Sequence, residues 1–560
     1  MVSLLLSSQF TRTKRFFRTR RLAKLITVAL FCLVFALFSI GVYLFFLKGF
    51  GYLQNDDYFF RATSLYVYEI FFLLIFILIA ASTAITALFR LFKNKEDGWL
   101  MASPCYRDLS KAIFWQSAIA TAWPIIFVVL PALVALGQRG IITLSGLFFS
   151  FLAIIFFALF TTALIFIVIL FAGLILSKLE KNYKIVSASF SKLILFIIIL
   201  FVIYLGAIWA ASSHTDLVDI FHAAEFNGPS AGTELIAARF HLLPSHLIAS
   251  QMLAWQLRDA GSAFFYFFLL GLLTLFSVII YYLLTDSILP LWQLFQEEHR
   301  GGGAGWRAKP HWLNFKFRHG QLATIFSKEL IFSLRNSRNL LWLLFLALIW
   351  LLQTGLNLIL ARNVSKHNLA GLTVPTLVQV LQFVTSIYFL AALALRFVLP
   401  SFSAEKKTAW IFESAPLLPG KIFIAKFSFF LALLALLGLS IGYSNTAFFE
   451  NRLFASLSTF FTFFSAIFFL VTLALSLGFL YPNHETSDPS IISTSLPGLI
   501  FIFTSLAYGA LGGWLLYGLL KADQLLPLSL FLFSSFIFSI FLIVFVQRRK
   551  IKPGGEPVTL

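Results

Sequence analysis

The chain has 560 residues, 60% of them hydrophobic and only 12% charged, with 70 phenylalanines. A soluble domain is about one-quarter charged and roughly 45–50% apolar, so this composition excludes a soluble enzyme or binding module and makes lipid the solvent. The formal net charge of +19 has to be read against a membrane before any nucleic acid is invoked.

The amino-terminal stretch TRTKRFFRTRRLAK leads into LITVALFCLVFALFSIGVYLFFL. This apolar run exceeds the roughly 7–15 residues of a signal-peptide core, and no small-residue cleavage site follows, so it reads as a retained span at 24–47. Apolar runs of about 20 residues or more predict eleven further spans. They lie at 65–92, 113–137, 141–177, 190–211, 262–286, 339–361, 373–399, 421–443, 452–480, 495–520 and 525–547. The fourth run is long enough either to project beyond the bilayer or to contain a break. The expected fold is an all-α polytopic membrane protein of about twelve transmembrane helices, in two pseudo-symmetric six-helix halves. The halves are 1–295 and 317–560, joined by a Gly-rich cytoplasmic linker, 296–316, that contains QEEHRGGGAGWRAKPHW. Cys32 sits in the first run and Cys105 in a charged loop, which is no disulfide framework.

Most of the 42 lysines and arginines fall on alternate loops, which places both termini in the cytoplasm. Only YPNHETSDPS (481–490) breaks the alternation, having no cation. Topology accounts for the charge, so no nucleic-acid partner is expected. The one sizeable external segment, 212–261, carries His214, Asp216, Asp219, His222, Glu225, His241 and His246. These show no firm metal-ligand spacing, and a solvated, partly helical cap is expected there.

Two cytoplasmic stretches stand out. NKEDGWLMASPCYRDLSKAIF (94–114) follows the second span, and SFSAEKKTAWIFESAPLLPGKIFIAKF (401–427) follows the eighth. Each runs from charges to a Trp with an aliphatic neighbour, then a small residue and Pro, then a helix entering the next span. Glu96 and Asp97 before Trp99 and Pro104 match Lys406 and Lys407 before Trp410 and Pro416, with a one-residue slip between Trp and Pro. A helix that docks a soluble partner needs charge and a few rigid anchors, which Trp and Pro supply. Belt tryptophans at the membrane interface are the competing explanation. The docking candidates are Glu96, Asp97, Trp99, Pro104, Arg107, Glu405, Trp410, Glu413 and Pro416.

The spans are nearly free of carboxylates and histidines, which argues against an ion-coupled carrier. Glu69 lies a few residues into the second span and is expected to be solvated at the interface. Gln353 and Asn357, one turn apart in the seventh span, either face a pathway or bond a neighbouring helix.

Four stretches carry a resemblance to export-class ABC permeases. FSKELIFSLRNSRNLLWLL (326–344) looks like the amphipathic helix before their first span. AEKKTAWIFESAPLLPGKIFIAKF (404–427) is similar to their cytoplasmic segment, with an acid, Trp, small-Pro and a later Lys. LPSHLIASQMLAW (243–255) resembles their external segment before the sixth span, and YPNHETSDPSIISTSLPGL (481–499) their late Pro- and acid-containing turn. The resemblance implies a fused two-half exporter permease in a bacterial inner membrane, moving a hydrophobic or amphipathic substrate. It implies no enzyme activity or bound cofactor in this chain, with ATP bound and hydrolysed by ABC ATPase partners, two copies, one at each docking stretch. Consistent with that, no G-x-x-x-x-G-K-[ST] loop occurs; GGGAGWRAK (301–309) comes nearest. Two alternatives remain. QNDDYFF (54–60) would offer Asp56 or Asp57 as the base of a membrane glycosyltransferase using lipid-linked sugars. A secondary transporter also has six plus six spans, but the loop at 93–112 lacks its Gly-Asp-Arg pattern.

Overall fold

A computed structural model describes residues 22–54, 57–92, 106–183, 243–301, 324–330, 373–408, 419–447, 453–483, 492–522 and 525–548, with single helical residues between 193 and 206. The described residues are 94% helical, without a strand among them, so the chain is an all-α polytopic membrane protein. Ten helical segments among them are long and apolar enough to cross a bilayer. They correspond to ten of the twelve runs read from the sequence. The other two, 190–211 and 339–361, fall almost entirely outside the described residues.

The chain forms two compact units, one drawn mainly from Phe35–Ala308 and the other mainly from Lys309–Leu560. The first contains α1 (Leu22–Gln54) from Phe35 onwards, α2 (Asp57–Phe92), α3 (Tyr106–Ala120), α4 (Leu130–Gln138), α5 (Leu144–Tyr183), α6 (His246–Gln256), α7 (Ala260–Leu284) and α8 (Ile288–Gly301). A π-helical turn at Ile125–Val129, behind Pro124, joins α3 to α4 within one candidate span. The second unit contains α9 (Thr373–Leu393), a π-helical turn at Ala394–Val398, 3-10 turns at Leu399–Ser401 and Ser403–Thr408, then α10 (Pro419–Ala447), α11 (Leu453–Leu480), α12 (Leu496–Ala522) and α13 (Leu525–Arg548). The run at 141–177 has no break: α5 is one helix of 40 residues. At 1.5 Å per residue it is about 60 Å long, well beyond a hydrocarbon core of about 30 Å.

Side-chain exposure follows lipid rather than water. On α7, Phe265, Phe268, Leu272, Leu275, Ile279 and Leu283 are exposed at three- and four-residue intervals, while Ala263, Leu270, Thr274, Ser277 and Tyr281 on the opposite face are buried. An apolar stripe facing outwards is what a lipid-contacting helix requires. Association between such helices depends on close packing and small residues, since lipid tails are as apolar as leucine. Gly478 of α11 is the clearest case, because any Cβ there would strike the carbonyl oxygen of Leu399. Only glycine lets α11 pass this close to the turn that ends the α9 segment.

The segment before α7 departs from expectation. Residues 243–255 belong to no solvated cap: Ile248, Ala249, Ser250, Gln251, Met252, Ala254 and Trp255 of α6 are all buried. α6 has 11 residues, about 16 Å, too short to span. It ends at Arg258, held in the left-handed region (φ 59°). Asp259 then caps α7 by accepting from the Ser262 amide at 3.2 Å. This tight reversal makes α6 and α7 an antiparallel hairpin. The apolar face of α6 packs on α2, α5 and α7, which explains why a polar-looking loop sequence is buried.

Candidate functional site

The most highly charged buried site among the described residues lies in the second unit. Lys426, on α10, has no exposed side-chain surface although it stands inside the candidate span Gly420–Ser440. Its Nζ donates to Glu329 Oε1 at 2.8 Å and to the Ser401 carbonyl at 3.1 Å, and lies 2.9 Å from Glu405 Oε1. The Phe402 ring centroid is 4.8 Å away, within cation–π range. Lys328 Nζ reaches Glu405 at 2.6 Å and Glu329 at 3.3 Å. Two cations and two carboxylates therefore balance, as a buried ionic cluster must. Burial pushes the Glu405 carboxyl up, but Lys426 and Lys328 outweigh it and hold the group below the ordinary carboxylate range.

Three elements meet here: the helical stretch 324–330, the 3-10 turn Ser403–Thr408 and the first turns of α10. Glu405, read from sequence as a docking charge, is thus the inner corner of an ionic junction just before the Trp-Pro stretch. Trp410, Glu413 and Pro416 lie outside the described residues. So do Glu96, Asp97, Trp99, Pro104, Gln353, Asn357 and Asp56.

Arg107, the remaining candidate, pairs with Asp286 at 2.5 Å, both side chains more than half exposed. An exposed pair of this kind is screened by solvent and contributes little to stability. Behind it the packing is aromatic. Phe114 stacks on Tyr281 at 4.9 Å, the Ser110 and Tyr281 hydroxyls are 2.7 Å apart, and Trp115 Nε1 donates to Tyr282 Oη at 3.1 Å.

Glu69 corrects another expectation. It is fully buried rather than solvated at the interface. His246 Nδ1 is 2.6 Å from its Oε1, and Ser245 donates to Oε2 at 2.9 Å. The second imidazole nitrogen, Nε2, is 3.3 Å from Ser250 Oγ. Burial of α6 supplies these partners, and no local sequence pattern joins position 69 to position 246. Among the described residues, no three His, Cys, Asp or Glu side chains gather as metal ligands would.

Fold and junction together define a polytopic helical membrane protein with ionisable clusters buried in its helical units. A protein-family model described as a putative ATP-binding cassette matches residues 19–516, and the chain belongs to that family. No curated protein and no solved structure matches. The family's description overturns several expectations that rested on the exporter-permease resemblance. It names an ATP-binding cassette and not a permease, so the permease assignment is withdrawn, together with the expectations that this chain is no enzyme and that ATP is bound only by partners. The inference failed at one step: lack of a single phosphate-loop motif excludes that loop, not every nucleotide contact. Neither the glycosyltransferase nor the secondary-transporter alternative gains support.

Proposed function

We propose that this chain is the membrane-embedded component of an ATP-binding cassette system, acting with partner subunits in a bacterial inner membrane with both termini in the cytoplasm. One coincidence supports the reading: the residues matched to the family, 19–516, are largely the apolar helices themselves. In this reading the halves 1–295 and 317–560, joined by 296–316, each present a cytoplasmic docking stretch to one partner subunit. Glu96, Asp97, Trp99, Pro104 and Arg107 serve the first stretch; Trp410, Glu413 and Pro416 serve the second. Glu405 anchors the second from behind.

The test purifies the tagged chain with its native companions, reconstitutes the assembly in nanodiscs, and measures vanadate-sensitive ATP hydrolysis and photolabelling by an azido-ATP. Hydrolysis that copurifies with the chain is expected, and the label identifies which polypeptide touches the nucleotide. An assembly that neither binds nor hydrolyses ATP refutes the reading.

A further inference from the structure

The α6 hairpin buries more hydrogen-bonding capacity than its neighbours use. Gln251 has no exposed surface, and neither its Nε2 nor its Oε1 has a partner among the described residues. One turn on, Trp255 is 6% exposed and its Nε1 is likewise without a partner. On α5, Ser150 is fully buried and its Oγ is unpartnered. Because both ends of the Gln251 amide are free, the conclusion does not depend on which way that amide is turned.

These atoms belong to one place. α5 and α7 run parallel, since Phe149 meets Phe264 and Phe267, Thr274 donates to the Phe156 carbonyl, and Phe166 meets Tyr281. α6 is antiparallel to α7 and hence to α5. Trp255 lies at the level of Phe149, whose ring stacks on it at 6.0 Å, and of Gly146, where a Cβ would come within 3.0 Å of the indole. One turn back along α6 is Gln251, and one turn forward along α5 is Ser150, so the two share a level.

We propose that α5 and α6 enclose an internal water-binding site, held by Gln251, Trp255 and Ser150, inside the first helical unit. A buried polar group left unbonded costs about 1–3 kcal/mol, and native proteins meet that cost with ordered water where two to four polar groups converge. The donor and acceptor set fits water: indole N–H and amide N–H donate to it, the amide oxygen accepts from it, and the serine hydroxyl does either. The site lies on the same short helix as His246 and Ser250, so it extends the polar side of α6 from the Glu69–His246 pair towards the hairpin turn.

Hydroxyl-radical footprinting of the reconstituted full chain tests this, because radiolysis of a bound water oxidises the side chains beside it even when they are shielded from bulk solvent. Trp255 and its buried neighbour Met252 should be oxidised several-fold faster than Phe157 and Phe166, fully buried in the same unit. Gln251→Leu should slow Trp255 oxidation several-fold, and Ser150→Ala provides a second variant should the first not fold. Trp255 oxidation as slow as that of Phe157 and Phe166, or as fast in a folded variant as in the parent, overturns the proposal.

Discussion

Replacing Lys426 by methionine keeps the length of the side chain and removes its charge. Glu329 and Glu405 are then left with Lys328 alone, whose side chain is 37% exposed and so partly screened by solvent. Removing one partner of a buried ion pair costs about 3–5 kcal/mol, because the other charge stays behind unpaired. For a unit of this size about 2–4 °C accompanies each kcal/mol, so the thermal midpoint should fall by about 6–20 °C. Lys328→Met removes the exposed partner and should cost about 1 kcal/mol or less. The triple variant Lys426→Met/Glu329→Gln/Glu405→Gln leaves only the partly exposed Lys328 charge behind and should regain most of the loss. Tryptophan fluorescence of the reconstituted chain on heating reads all three. If Lys426→Met melts no lower than Lys328→Met, or the triple variant melts lowest of all, the balanced-cluster argument is wrong.

Glu405 also gives a pH dependence. Its folded-state value lies below the ordinary 4.5, so its contribution is fully present above about pH 4.5 and is lost as pH falls through the lower folded value. An acid scan of the thermal midpoint should show this decline, and Glu405→Gln should flatten it. His246→Leu leaves the buried Glu69 carboxyl without its imidazole partner and should cost about 1–3 kcal/mol, while Glu69→Leu/His246→Leu should recover most of that; a double-mutant cycle with no coupling would contradict the pairing. Topology is checked by labelling with an impermeant thiol reagent: Ser230→Cys and Asn368→Cys should react from outside, and Ser187→Cys and Gly303→Cys should be protected in intact cells.

What the sequence revealed and what it hid differ in range. Membrane helices are visible residue by residue, because the cost of polar atoms in lipid acts on every position of a span. Pairings across the fold leave no such trace. Lys426 is the closing lysine of AEKKTAWIFESAPLLPGKIFIAKF, and a cation in an apolar run is visible by eye. Its partners Glu329 and Glu405 stand 97 and 21 positions earlier, brought together only by packing. Glu69 was misjudged for the same reason: judged by depth alone it belongs in the interface, and only the α6 hairpin supplies the imidazole that makes burial tolerable. α6 itself has a hydrophobic face too short to signal a span and enough Ser, Gln and His to look like a loop.

The repeated stretches also diverge where they enter the membrane. Ten residues after Pro104 comes Phe114, and ten after Pro416 comes Lys426. Both are fully buried, yet one stacks on Tyr281 and the other holds two carboxylates. The first unit therefore fastens its α3 with aromatic contacts, and the second fastens α10 with charge. Phe114→Lys tests whether the two positions are interchangeable. The rings packed against Phe114 are Trp115, Phe166 and Tyr281, none of which can pair with an ammonium as a carboxylate does. An unpaired buried charge costs several kcal/mol, so this variant should lose its fold or its membrane insertion. The reverse exchange, Lys426→Phe, should be poorly tolerated alone and regain stability when Glu329→Gln and Glu405→Gln accompany it. Full stability of Phe114→Lys would mean that water or an unseen acid reaches this position, and the contrast between aromatic and ionic fastening would fall with it.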